Sequence, residues 1–300
     1  MRTLMCGICG FTGKRDDVTL KKMADAIRHR GPDDDGFYSD GKMNLGMRRL
    51  SIVDLETGRQ PISNETENIW VVANCEIYDH VPLRKTLETK GHHFRTDHCD
   101  TEVIVHLYEE FGEDWPSHVN GMFGGALWDK ESERLLLFRD RIGKKPLYYA
   151  EISGRLIFAS EIKALFLHPL ISRRLDYQAL YNYFGFKNIS APRTAYDDIR
   201  QLLPGHVLVW QGGEGTTRPY WNLEFGDPLT DITEQEASQH LFELFEDAVK
   251  IRMQCDVPYG AYLSGGVDSS SVVSIMRRYE SKPVTTFCLG YEDKTGGQFP

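Results

Sequence analysis

Cys6-Gly7-Ile8 directly follows Met5. If translation starts at Met5 and that methionine is removed, Cys6 becomes the first residue and carries a free α-amine. An α-amine titrates near 8 and a thiol near 8.5, so the amine can take the thiol proton at neutral pH. One residue then supplies both nucleophile and base. Without such processing, a single cysteine near a terminus reads as a small buried hydrophobe.

A second constellation is Ser264-Gly265-Gly266-Val267-Asp268-Ser269-Ser270, between an apolar strand and a helix. Two glycines let the backbone approach an anion. The helix start offers unpaired N–H groups and a positive dipole end, and the hydroxyls add donors. The Gly-Lys-[Ser/Thr] ending of a Walker A loop is missing. Asp268 is placed either to cap the helix or to meet a magnesium ion.

Two other patterns carry less. Cys6-x-x-Cys9 has redox spacing, but such a pair should open a helix, and this one lies inside a strand candidate. His92, His93, His98 and Cys99 could suggest zinc, yet no second ligand pair stands at typical spacing, so they read as a solvated or locally hydrogen-bonded cluster.

The elements that must hold these groups follow from periodicity. Leu20, Met23, Ala24 and Ile27 recur at helical spacing and stop at Gly31-Pro32. Strands are predicted over residues 6–11, 45–53, 69–77, 122–128 and 134–139, with a hairpin over 147–150 and 156–159 around Ser153-Gly154. Helices are predicted over 81–90 and 101–111. Consecutive strands with short turns, then helices, indicate an α+β sandwich with largely antiparallel sheets. After Gly212-Gly213 the pattern changes. Thr233 and Glu236 form a capping box, and Ala237, Leu241, Leu244, Ala248 and Ile251 share a helical face. Strand 259–263, helix 270–279 and strand 284–289 then make a βαβ unit, the start of a parallel α/β sheet. The domains are therefore placed at 1–215 and 230–300. Two parallel strands cannot complete a doubly wound sheet, so the chain is expected to stop within its second domain.

The 300 residues suit about two domains. Hydrophobic residues make up 41% and charged ones 26%, as in an ordinary soluble chain. The formal charge of −9 argues against nucleic acid or an anionic membrane as partner. No apolar run approaches the roughly 20 residues of a membrane span, and Met1 to Met5 lack a signal-peptide core, so a cytoplasmic location is expected. The 6 cysteines are too dispersed for a disulfide scaffold.

Arg28-His29-Arg30-Gly31-Pro32-Asp33, Arg49-Leu50-Ser51-Ile52-Val53-Asp54, Asn74-Cys75-Glu76-Ile77-Tyr78 and Asp100-Thr101-Glu102 appear in that order. With Cys6-Gly7-Ile8, Gly121-Met122-Phe123, Arg139-Asp140-Arg141-Ile142-Gly143 and Lys145-Pro146-Leu147-Tyr148-Tyr149, they resemble the asparagine synthetase (glutamine-hydrolysing) family over essentially the whole chain. That family joins a class II N-terminal-nucleophile glutaminase, two antiparallel sheets between helices, to an ATP-pyrophosphatase domain. The loop at Ser264 matches the latter's SGGxDSS string.

The resemblance implies roles. Cys6 attacks the glutamine side-chain amide, and Arg49 holds the α-carboxylate. Glu76 and Asp100 bind the α-ammonium, and residues 50–53 (Leu50, Ser51, Ile52, Val53) line the pocket through their backbone. Asn74 and the N–H of Cys75 form the oxyanion hole. Leu263 and Leu289 border the adenine of ATP, whose phosphates meet Ser264 to Ser270, with Asp268 toward Mg2+. Substrates are glutamine, ATP and aspartate or a related carboxylate; products are asparagine, AMP, pyrophosphate and glutamate. No tightly bound prosthetic group is implied, and a homodimer is compatible. A related amidotransferase with another acceptor (β-lactam synthetase-like or natural-product), or a degenerate chain that binds without turnover, shares the same motifs.

Four departures set further expectations. Residues 1–4 precede the processing point. A Cβ at Cys75, where the family has glycine, is expected to crowd the oxyanion or strain the backbone. Gly124-Gly125 replaces a bulkier pair and is expected to loosen its strand. Asp79, in place of asparagine, is expected to cap the following helix.

Overall fold

The computed structural model describes residues 5–228 and 230–290, in two units that divide between Glu224 and Phe225. In chain order the first unit runs β1 (Gly7–Thr12), α1 (Asp17–Ala26), β2 (Asp34–Ser39), β3 (Met43–Arg49), β4 (Ile62–Ser63), β5 (Ile69–Ile77) and α2 (His80–Thr89). A 3-10 turn over Asp100–Glu102 leads into α3 (Val103–Phe111), followed by β6 (Gly121–Asp129), β7 (Arg134–Arg139), β8 (Tyr148–Ile152) and β9 (Arg155–Ala159). Then come α4 (Ile162–Leu165), α5 (Tyr177–Phe186), β10 (Arg200–Gln201), β11 (His206–Gln211) and β12 (Glu214–Pro219).

These strands form two six-stranded antiparallel sheets, β10-β8-β9-β1-β3-β2 and β12-β11-β7-β6-β5-β4. Strand alternation sorts the side chains into layers. Ile8, Met43, Leu45 and Met47 of the first sheet meet Val72, Trp128, Leu135 and Leu137 of the second in a core between the sheets. Leu20, Met23 and Ile27 cover the first sheet's outer face together with Ala164 and Leu165. Val103, Ile104 and Leu107 cover the second sheet's outer face. This is the helix-sheet-sheet-helix sandwich expected from the sequence.

Several local expectations change. β3 stops at Arg49, so residues 50–53 are loop rather than strand. There the Ser51 N–H donates to Asp33 Oδ2 (2.9 Å) and the Leu50 N–H to Cys6 Sγ (3.3 Å), taking these donors off the ladder. The polar strand β2, the hairpin β11-β12 and α5 were not expected. Gly125 does not loosen its strand. It pairs with Phe138 on β7 and Ala73 on β5, and a Cβ there would lie 2.3 Å from the Phe138 ring. That ring fills the glycine's space and packs edge-on against Trp115, centroids 4.8 Å apart. Asp79 makes no side-chain cap to α2; its carboxylate accepts from the Asn120 N–H instead (3.0 Å).

The second unit comprises α6 (Glu234–Lys250), β13 (Gly260–Tyr262), α7 (Val267–Tyr279) and β14 (Thr285–Phe287). The Thr233–Glu236 capping box forms, and β13 pairs with β14 in parallel. The packed face of α6 differs from the expected one. Val249 and Phe245 meet Ile275 and Met276 of α7, while Leu241 and Leu244 stay 69% and 72% exposed.

Candidate active site

Cys6 sits at the entry to β1, tied by two neighbours, Leu50 and Arg30. Its Sγ lies 3.5 Å from the Leu50 carbonyl and 3.3 Å from the Leu50 nitrogen, and its own carbonyl accepts from Arg30 Nε (2.9 Å). Burial pushes the thiol up to about 11, with the nearby Glu76 and Asp100 carboxylates adding to the rise and Leu50 and Lys145 opposing it. A peptide-linked Cys6 is therefore a poor nucleophile at neutral pH.

Cys6 opens onto a cleft lined by Arg49, Leu50, Ile52, Val53, Cys75, Glu76 and Asp100. Of the predicted glutamine-binding residues, these come together. Ser51 does not line the cleft; its backbone anchors the 50–53 loop to Asp33. Adjacent Arg48 and Arg49 part company. Arg48 pairs with Asp25 and Asp35, whereas Arg49 donates to the carbonyls of Val53 (3.0 Å) and Asp54 (2.5 Å) beside the cleft.

The far wall is the edge of β5. β4 covers only Val71 and Trp70, leaving residues 73–77 without a neighbouring strand on that side. Gln60 substitutes at Ala73, accepting from its N–H (2.7 Å) and donating to its carbonyl (3.1 Å). Asp100 Oδ2 accepts from the Ile77 N–H (2.8 Å). Between them the Cys75 N–H, two residues from each, points the same way by strand alternation, into the cleft. Asn74 faces the opposite side, the inter-sheet face that Cys6 packs against. Its Nδ2 is buried without a protein acceptor. A buried donor left unpaired is costly unless something else meets it.

The expected strain at Cys75 does not appear. Cys75 is absent from the positive-φ positions, and its side chain turns to Thr101 Oγ1 (3.2 Å) and Asp100 Oδ2 (3.9 Å). The thiol is raised well above its ordinary value, by burial first and Asp100 next. The Cys75 side chain thus sits against Thr101 and Asp100.

The half-buried Glu76 and the buried Asp100 face one site with their carboxylates. Burial, then Asp100, raises Glu76 to about 7 against the opposing Lys145 ammonium, and burial raises Asp100. Two anions pressed together in this way await a cation.

In the second unit, Ser264 Oγ lies 3.0 Å from Ser269 Oγ, and Gly265 has φ +83°, a left-handed turn suited to glycine. Gly266 is the N-cap of α7 and makes no side-chain cap bond, so Asp268 does not cap; it lies in the first turn, exposed. Val267, Ser269 and Ser270 continue that turn. Leu263 bonds through its N–H to the Phe287 carbonyl (2.8 Å), and Leu289, 78% exposed, follows β14.

A family model described as a glutamine amidotransferase domain matches residues 5–221. The chain belongs to this family. Residues 240–298 of the chain match an asparagine synthase model. It is 36% identical over 298 residues to asparagine synthetase [glutamine-hydrolyzing] 1 of Bacillus subtilis, covering 97% of this chain and 46% of that protein. It is also 37% identical over 261 residues to amidase chyE of Penicillium rubens, covering 86% and 38%. The chain thus spans about half the length, or less, of these relatives. The B. subtilis glutamine phosphoribosylpyrophosphate amidotransferase structure shares the fold at TM-score 0.54 and 18% identity, covering 91% of this chain and 64% of that one. Among the described residues no helix is long and apolar enough to cross a membrane.

Sequence reasoning missed several residues of this cleft. Gln60, Gly58, Ala73, Cys99 and Thr101 also line the cleft. A Cβ on Gly58 would stand 2.6 Å from Arg49 Nη2, so only glycine leaves the guanidinium its place. Lys145 is presented by a loop whose backbone is held by Asp140 and Arg139. The Arg-Asp-Arg-Ile-Gly motif could have signalled that loop, but nothing local marks Gln60.

The raised Glu76 gives a signed pH prediction. Its folded-state value lies above the ordinary carboxylate range, so it weakens the fold as pH rises through about 7. Glu76→Gln should stabilise the ligand-free protein at pH 8 by about 1–3 kcal/mol, with the gain gone near pH 4. The same change should weaken glutamine binding and flatten its loss below pH 7, where wild-type Glu76 takes a proton. Thermal unfolding and glutamine titration against pH check both.

Proposed function

We propose that the chain carries the glutaminase of a glutamine-dependent asparagine synthetase and the start of its ATP site. The observation that carries this is Cys6 opening onto a cleft with Arg49 at one place and the Glu76–Asp100 carboxylate pair at another. That charge pattern complements an α-amino acid whose side chain reaches the thiol. Arg49 takes the α-carboxylate and the two acids take the α-ammonium, which sets the amide carbon near Sγ.

With Cys6 as first residue, its α-amine removes the thiol proton and Sγ adds to the amide carbon. Asn74 Nδ2 and the Cys75 N–H stabilise the oxyanion. The α-amine returns the proton to the leaving nitrogen, ammonia departs, and a thioester remains. Water then adds to the thioester, releasing glutamate and restoring the thiol. In the synthetase, ammonia attacks an aspartyl adenylate made from ATP with release of pyrophosphate, giving asparagine and AMP. The loop from Ser264 to Ser270 would receive the phosphates, Leu263 and Leu289 the adenine. Asp268, the loop's carboxylate, is exposed in the first turn of α7 and fits the magnesium that accompanies the nucleotide. A second reading is the same glutaminase serving another acceptor; the likeness to a protein named an amidase, rather than an asparagine synthetase, supports it.

The test compares glutamine with its analogue lacking the α-amine, using the chain that begins at Cys6. Glutamine should be hydrolysed with kcat/KM at least about 10³-fold higher, because the analogue leaves buried carboxylates unpaired. Equal turnover of the two would refute the assigned pocket.

A further inference from the structure

The histidine-rich stretch that opens with His92 acquires different company in the fold. Cys99 lines the glutamine cleft, and His93 gives its backbone N–H to Glu65 Oε1 (2.6 Å). His92, just after α2, instead meets His106, Glu109 and Glu110 of α3 and lies near Glu65 of the β4–β5 loop. His92 Nδ1 lies 3.3 Å from Glu109 Oε2. His106 Nδ1 lies 3.0 Å from the same oxygen and 3.8 Å from Glu65 Oε2. One ligand atom from each of the four residues lies within 4.8 Å of the other three.

We propose that Glu65, His92, His106 and Glu109 form a binding site for one divalent cation of the zinc class, separate from the glutamine cleft. A tetrahedral site with bonds of about 2.0–2.2 Å needs ligand atoms roughly 3.3–3.6 Å apart. The measured separations bracket that span, so closing the site takes shifts of about an ångström. Two imidazoles and two carboxylates suit zinc, and the two anions balance its charge.

The outer atoms of the same residues support the assignment. His92 Nε2 meets Glu110 Oε1 at 3.0 Å. Glu109 Oε1 accepts from Asn64 Nδ2 (2.8 Å), and Glu65 Oε1 from the His93 N–H. His106 is fully buried. Its Nε2 has no hydrogen-bond partner and looks toward the buried Glu102 carboxylate at 4.0 Å. Metal on Nδ1 fixes the proton on Nε2, facing that carboxylate. Such carboxylate–histidine pairs commonly orient metal-bound imidazoles. Each residue thus has one atom engaged or aimed outward and one turned inward. The ion would tie the β4–β5 loop, the end of α2 and α3 together, a structural role.

The test uses zinc itself. Chain stripped with EDTA and titrated with ZnCl2 should bind one ion per chain at this site, and Co2+ should give tetrahedral visible absorption. Glu65→Gln and His92→Gln, both at partly exposed positions, should each weaken zinc binding roughly 10²-fold with unchanged circular dichroism. A Cys75→Ala/Cys99→Ala variant should bind as the unsubstituted chain does, which separates this site from the cleft thiols. No zinc uptake, as expected if the four residues are only an ion-pair cluster, would overturn the proposal. So would either His92→Gln or Glu65→Gln binding as tightly as the unsubstituted chain.

Discussion

A chain that keeps Met5 ahead of Cys6 should hydrolyse glutamine about 10²–10⁴-fold more slowly than one whose first residue is Cys6, the range a positioned general base contributes. The reason lies in the thiol's surroundings. Burial and the two nearby carboxylates push Cys6 up to about 11. At neutral pH that leaves roughly one thiolate in ten thousand. Neither the Leu50 N–H nor the Lys145 ammonium offsets this. An α-amine on the same residue supplies a positioned general base without an added side chain. Retained Met5 removes that base, and its sulfur also occupies the buried Lys145 ammonium at 3.5 Å. Residues 1–4 lie outside the described part of the structure, so intact-protein mass must accompany the rate measurement to establish which form is assayed.

Asn74→Ala should lower kcat for glutamine about 10²–10³-fold while changing KM little, the signature of an oxyanion donor used mainly in the transition state. Asn74 Nδ2 is buried and unpaired in the ligand-free protein, so removing it sacrifices no protein hydrogen bond. The fold should therefore survive the change, and thermal unfolding would show it. A comparable rise in KM with kcat intact would instead make Asn74 a ground-state contact.

How much of this was legible beforehand varies with the physics involved. β5 was readable residue for residue because its apolar run from Ile69 to Ala73 is buried on both faces, Val71 and Ala73 toward the helical layer and Val72 toward the other sheet. The sandwich followed from such runs. Residues 50–53 read as strand because they are apolar, but Asp33 and Cys6 draw their amides away from the ladder. Only the motif selected Arg49 over Arg48; the physical reason for the difference, Asp25 and Asp35 engaging Arg48, exists only in the fold. Gln60 was invisible for a related reason: its importance lies in replacing a strand at the edge of β5. The glycine pair at Gly124-Gly125 looked like a defect until Phe138 was placed across it. In α6, Leu241 and Leu244 matched a helical face, yet α7 packs on Phe245 and Val249.

The most direct test is glutamate released from glutamine by the chain beginning at Cys6 and by its Cys6→Ala variant. Steady release by the first and none above background by the second is the predicted result. Equal release by both, or none by either with the fold intact, would contradict a glutaminase centred on Cys6.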